Sequence, residues 1–146
     1  GDEVVAFEPA FDIYTAQTQM CGATLRTVPL FLEKRSSDGE QAWVFDLAKF
    51  AAAFTAKTRM LILNTPHNPT GKVFTAAEME AIAAVVRKWP NVVVVADEVY
   101  EHLVYTDGGG GGGSPPRHIH FAALPDMYAR TLTVSSAGKT FSCTGW

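Results

Sequence analysis

Short apolar runs and amphipathic stretches alternate along this chain. Val4-Val5-Ala6-Phe7 is an apolar run closed by Pro9, and it predicts a strand. Phe11 to Cys21 fits a helix, with Gly22 placed to stop it. Ala23 to Leu30 reads as a second strand, and the polar stretch Glu33 to Ala42 as a loop. Asp46 is placed to cap a helix whose Leu47, Phe50, Ala51 and Phe54 fall at i, i+3, i+4 and i+7. Met60-Leu61-Ile62-Leu63 predicts a strand. Thr75-Ala76-Ala77-Glu78 is a capping box that opens a helix with Met79, Ile82, Ala83 and Val86 on its buried stripe, ended by Pro90. Val92 to Ala96 and Thr131 to Val134 predict two more strands, with a short helix at Phe121 to Leu124 and a turn at Asp126 to Tyr128 between them.

Strands that alternate with helices, and central strands that are apolar throughout, predict an α/β fold: a mostly parallel sheet with crossover helices, its strands buried on both faces. Gly108 to Gly113, followed by Ser114-Pro115-Pro116, predicts a flexible Gly/Pro-rich surface loop over residues 107–117. No internal repeat is visible.

Ligands of open α/β sheets bind beyond the carboxyl ends of the strands, and three predicted strands end in polar clusters. Met60–Leu63 runs into Asn64-Thr65-Pro66-His67-Asn68-Pro69. Val92–Ala96 runs into Asp97-Glu98-Val99-Tyr100, and Thr131–Val134 into Ser135-Ser136-Ala137-Gly138-Lys139. Parallel pairing would set Asn68, Asp97, Tyr100 and Lys139 along one edge. An amine, a carboxylate, an amide and a phenol there suit pyridoxal 5'-phosphate (PLP), which needs a lysine to hold it and a carboxylate beside its pyridine nitrogen. Plainer readings stand beside each residue. Lys139 is equally an exposed turn lysine, Asp97 a helix N-cap, Asn68 a turn residue before Pro69, and Phe11 a core phenylalanine rather than a ring that stacks on the cofactor.

Composition narrows the field. With 146 residues, 47% hydrophobic, the chain is long enough for one domain with a real core. A net charge of -3 and no basic stripe argue against nucleic acid. Apolar runs fall far short of the ~20 residues of a membrane span. Cys21 and Cys143 suggest a reducing compartment rather than a disulfide framework. Three further patterns fail on their partners. Gly138-Lys139-Thr140 lacks the upstream glycine of a phosphate-binding P-loop, because position 133 is threonine. Ser136-Ala137-Gly138-Lys139 fits S-x-x-K without the companion motifs of penicillin-recognising enzymes. His118-Ile119-His120 offers two imidazoles of a zinc set with no third ligand evident, so it is read as a polar loop and no metal is expected.

Three segments, Asn64 to Phe74, Asp97 to Leu103 and Ser135 to Phe141, resemble in residues and order the class I aminotransferases of fold type I. The nearest subgroup is that of the kynurenine–oxoglutarate transaminases, also known as glutamine transaminase K or cysteine-S-conjugate β-lyase. Glu8-Pro9-Ala10-Phe11-Asp12-Ile13-Tyr14 resembles the subgroup's ring-stacking segment. The resemblance covers residues 1–146 and implies the central part of the family's large PLP-binding domain, incomplete at both ends. It implies that Lys139 forms the Schiff base and moves the proton, that Asp97 pairs with the pyridine nitrogen, and that Asn68 and Tyr100 hold the phenolic oxygen. Ser136 would bind the phosphate, Phe11 would stack on the ring, and Asn64 and Asn68 would lie near the substrate. The implied reaction moves the amino group of an aromatic, glutamine-like or sulfur-containing L-amino acid to a 2-oxo acid. A β-lyase on cysteine S-conjugates and a non-catalytic folding or dimerisation piece are the alternatives. A homodimer in the cytoplasm is the expected setting, with mitochondria as the other possibility, and this chain alone is expected to be inactive.

Overall fold

A computed structural model describes residues 1–34, 39–105 and 117–146. Along the chain lie β1 (Glu3–Glu8), α1 (Ile13–Met20), β2 (Thr24–Lys34), β3 (Gln41–Phe45), α2 (Leu47–Ala52), β4 (Thr58–Asn64), α3 (Ala76–Val86), β5 (Val93–Asp97), β6 (Thr131–Val134) and α4 (Ala137–Thr140). Two single-turn 3-10 helices stand before β6, at Phe121–Ala123 and Tyr128–Arg130. The loop expected at 107–117 lies, apart from Arg117, outside the described residues.

One six-stranded sheet runs in the order β3-β2-β1-β4-β5-β6. Every pairing is parallel except β2 with β3, which is antiparallel. The α/β reading of the hydrophobic pattern therefore holds. The polar stretch Glu33 to Ala42 is strand at both ends rather than loop: β2 continues to Lys34 and β3 begins at Gln41, pairing Leu30 with Phe45 through Lys34 with Gln41. Glu33, Lys34 and Gln41 are exposed there, so their polar side chains stay in solvent while the backbone pairs.

Local signals set several helix ends. Asp46 accepts hydrogen bonds from the backbone N–H of Ala48 and Lys49 and caps α2. Thr75 and Glu78 close the reciprocal capping box of α3, a device worth about 1 kcal/mol. Both helices pack on one face of the sheet. Phe50 and Phe54 of α2 and Met79, Ile82 and Val86 of α3 join Val5, Phe7, Leu61, Leu63 and Val94 in a single core. Phe7 stacks on Phe50 at 5.2 Å and meets Phe74 at the same centroid distance, which pins the segment after β4 to the centre of the sheet.

The other face is covered unevenly. β1 is buried on both faces, with Val4 and Ala6 as well covered as Val5 and Phe7. β5 and β6 are not: Val93, Leu132 and Val134 are exposed. The continuous apolar character of the strands therefore overstates their two-sided burial among the described residues. Among these same residues no helix is long and apolar enough to cross a membrane.

Candidate active site

The parallel register carries the strand ends to one edge. Asn64 at the end of β4 is level with Asp97 at the end of β5, and Asp97 is level with Val134 at the end of β6. The strand order turns back between β1 and β4, and such a switch opens a crevice beyond the carboxyl ends. Phe11 and Tyr14 follow β1 at this crevice. The segment from Asn64 to Asn68 leaves β4 there, Asp97 and Tyr100 leave β5, and Ser136 and Lys139 follow β6. All seven expected site residues are thus on one side of the sheet.

Asn64 is buried, and both ends of its amide serve the backbone. Nδ2 donates to the Asp97 carbonyl at 2.9 Å, and Oδ1 accepts from the Asn68 N–H at 2.7 Å. It ties the end of β5 to the segment bearing Asn68, a positioning role that the sequence reading did not foresee. That segment folds back through His67 N–H to the Lys72 carbonyl and Gly71 N–H to the His67 carbonyl. Gly71 sits at φ 70°, where a side chain would be strained. His67 is buried and its Nδ1 lies 2.8 Å from Thr70 Oγ1. Burial and then the nearby Lys72 charge pull its pKa down to about 4, so it is neutral at pH 7. Lys72 is buried too, with Nζ at 2.6 Å from Glu78, 2.7 Å from the Trp43 carbonyl and over the Phe74 ring. A bulged, polar loop is thereby held by charge-assisted bonds.

Asp97 has a partner absent from the expected set. Tyr14, only 8% exposed, donates its hydroxyl to Asp97 Oδ2. Burial, then that hydrogen bond and the carboxylate charge, drive the phenol pKa far above its usual value, so Tyr14 is a permanent donor. The available signal was its spacing: Tyr14 is one helical turn after Phe11, and their rings meet edge to face at 5.8 Å. Phe11 itself is 42% exposed among the described residues. The helix-cap reading of Asp97 also fails. Its Oδ1 is 3.5 Å from Val99 N, but the residues beyond form successive turns, Glu101 N–H to Glu98 carbonyl and Leu103 N–H to Tyr100 carbonyl.

Lys139 stands on α4, a single turn, rather than in an open turn. Ser136 caps that turn by accepting from the Lys139 N–H at 3.3 Å, which gives the S-x-x-K spacing a structural use. The neighbouring Ser135 hydroxyl donates to Glu101 at 2.5 Å, tying the turn after β6 to the one after β5. The side-chain amide of Asn68, the hydroxyl of Tyr100 and Nζ of Lys139 are half-buried, and among the described residues none has a hydrogen-bond partner. Such a group of unpaired donors beside a held carboxylate is suited to an occupant that brings acceptors.

The family profile "Aminotransferase class I and II" matches residues 1–146. The chain is 46% identical over 154 residues to a kynurenine–oxoglutarate transaminase of Dictyostelium discoideum, covering all of this chain and 34% of that protein. It is 44% identical to kynurenine–oxoglutarate transaminase 1 of Rattus norvegicus, covering 33% of it. Among solved structures it is similar to an N-succinyldiaminopimelate aminotransferase from Mycobacterium tuberculosis (TM-score 0.85, 43% identity, all of this chain and 34% of that one). It is also similar to an aromatic aminotransferase from Pyrococcus horikoshii (TM-score 0.81, 36% identity, all of this chain and 35% of that one). The chain spans about a third of the length of the curated relatives it matches.

Proposed function

We propose, from the premise that this chain belongs to the class I and II aminotransferases, that it is the cofactor-holding part of a PLP-dependent transaminase. The names of its relatives, kynurenine–oxoglutarate transaminases, support a kynurenine-type amino-acid donor with a 2-oxo acid as acceptor; the family resemblance extends the donor class to aromatic, glutamine-like or sulfur-containing L-amino acids. Two copies assemble in the working enzyme on the same reading. One observation carries the proposal: an amine, an amide and a phenol without partners among the described residues share one sheet edge with a carboxylate that Tyr14 holds in place.

These residues fit PLP. The group supplies, when bound, a ring that takes up the electrons released as a bond to the substrate Cα breaks. Lys139 would be the amine that holds it covalently and would then carry the proton at the substrate carbon. Asp97 has one oxygen engaged by Tyr14 and the other free of any strong bond, and this second oxygen would be available for the pyridine N–H. Asn68 and Tyr100 would donate to the ring oxygen, Ser136 would bind the phosphate, and Phe11 would cover a face of the ring. Asn64 acts from beneath, fixing the strand ends that carry Asn68 and Asp97.

Borohydride reduction of the PLP-loaded, full-length protein, followed by peptide mapping, tests the assignment. The label is expected on the peptide containing Lys139. Label on Lys72 or Lys57 instead would overturn it.

A further inference from the structure

We propose that Glu98, Glu101, His118 and His120 form a binding site for a divalent transition-metal ion, zinc by the chemistry of its donors. His118 and His120 are only two ligands in the sequence. The fold brings the missing ones, because the turns after β5 carry Glu98 and Glu101 against the segment that leads into Phe121. One donor atom from each of the four residues lies within 4.8 Å of the others. Two imidazoles and two carboxylates are a donor set that zinc takes in four-coordinate sites.

The hydrogen bonding around the cluster points the same way. Glu98 is fully buried, and its Oε2 lies 2.9 Å from His118 Nε2 and 2.5 Å from His120 Nδ1, while Oε1 accepts from the Phe121 N–H at 2.9 Å. A wholly buried carboxylate calls for a positive partner. A metal ion among the four donors would supply it, with the neutral rings as its ligands.

His120 Nε2 faces Glu101 Oε2 at 3.7 Å. A dication among the four donors would neutralise both carboxylates. Zinc bonds of ~2.0–2.1 Å place tetrahedral ligands about 3.3 Å apart. The His120 Nε2–Glu101 Oε2 separation of 3.7 Å and the His118 Nε2–Glu98 Oε2 separation of 2.9 Å are both near this, and the His120 side chain, 53% exposed, has room to adjust. Outer hydrogen bonds orient both carboxylates: Phe121 N–H to Glu98, and the Ser135 hydroxyl to Glu101. Bound zinc would clamp the turn after Asp97 to residues 118–120. None of the four residues is among those proposed to hold PLP, so this site stands or falls independently of that reading.

The full-length protein, stripped of metal by a chelator and dialysed, is titrated with Zn2+ in competition with a chromophoric chelator, and separately with Co2+. Wild type is expected to bind Zn2+ saturably at this site and to give the intense visible bands of four-coordinate Co2+. His120→Ala, at an exposed position, and the isosteric Glu101→Gln should weaken Zn2+ by at least the ~10–100-fold that even outer-shell partners contribute, with unchanged far-ultraviolet circular dichroism. The absence of saturable Zn2+ uptake by wild type, or equal Zn2+ affinity in wild type and both variants, would overturn the proposal.

Discussion

Replacing Tyr14 with phenylalanine removes one oxygen atom and tests how Asp97 is held. The ring stays, so its packing and its edge contact with Phe11 are kept. What goes is a single hydrogen bond from a buried phenol to a carboxylate oxygen. Bonds to charged groups contribute about 1.5–3 kcal/mol, and each ~1.4 kcal/mol is tenfold in an equilibrium constant. If Asp97 depends on Tyr14 for its orientation, PLP affinity in the full-length protein should fall roughly 10- to 100-fold. Equilibrium dialysis or the cofactor's absorbance on titration would measure it. The phenol does not ionise in the working range, since burial and Asp97 hold its pKa far above the usual value. The difference between wild type and Tyr14→Phe should therefore be flat from neutral to moderately alkaline pH. An unchanged PLP affinity, or a difference that collapses within that range, would refute the positioning role.

Two further predictions concern the segment that carries Asn68. His67 has a folded pKa of about 4 against 6.5 for an ordinary histidine. Its contribution to stability is fully present above about pH 6.5 and is lost as the pH falls toward 4, because only the unfolded chain takes up the proton across that window; the loss is on the order of 3 kcal/mol. His67→Gln should flatten the fall in urea-unfolding free energy between pH 6.5 and 4, and an unaltered slope would contradict the buried neutral state. Glu78→Ala leaves the buried ammonium of Lys72 without its carboxylate and should destabilise the protein by about 3–5 kcal/mol in denaturant unfolding, whereas Lys72→Met, which removes the charge itself, should cost less. The reverse order would show that the ion pair is not what holds this loop.

Much of the architecture was legible in local pattern. Capping residues, a 3.6-residue stripe and apolar runs are set by neighbours in the chain, so α2, α3 and the central parallel strands could be read directly. Motifs at the ends of β4, β5 and β6 likewise named Asn68, Asp97, Tyr100, Ser136 and Lys139, because a strand end is itself a sequence feature.

What no local pattern contains is which distant groups meet. The pairing of the far end of β2 with the start of β3 was hidden because Glu33, Lys34 and Gln41 face solvent, and polarity records exposure rather than backbone pairing. Asn64 looked only like a residue near the substrate; parallel register also put the Asp97 carbonyl and the Asn68 N–H on either end of its amide. Tyr14 passed as an ordinary helical aromatic until 83 positions of chain separation closed to a hydrogen bond. His118 and His120 were a pair without a third ligand until the turn after β5 set Glu98 and Glu101 beside them. Hydrophobic periodicity depends on free energies that each residue carries with it, whereas the partner of a buried polar group is settled by register and strand order, which belong to the folded chain as a whole.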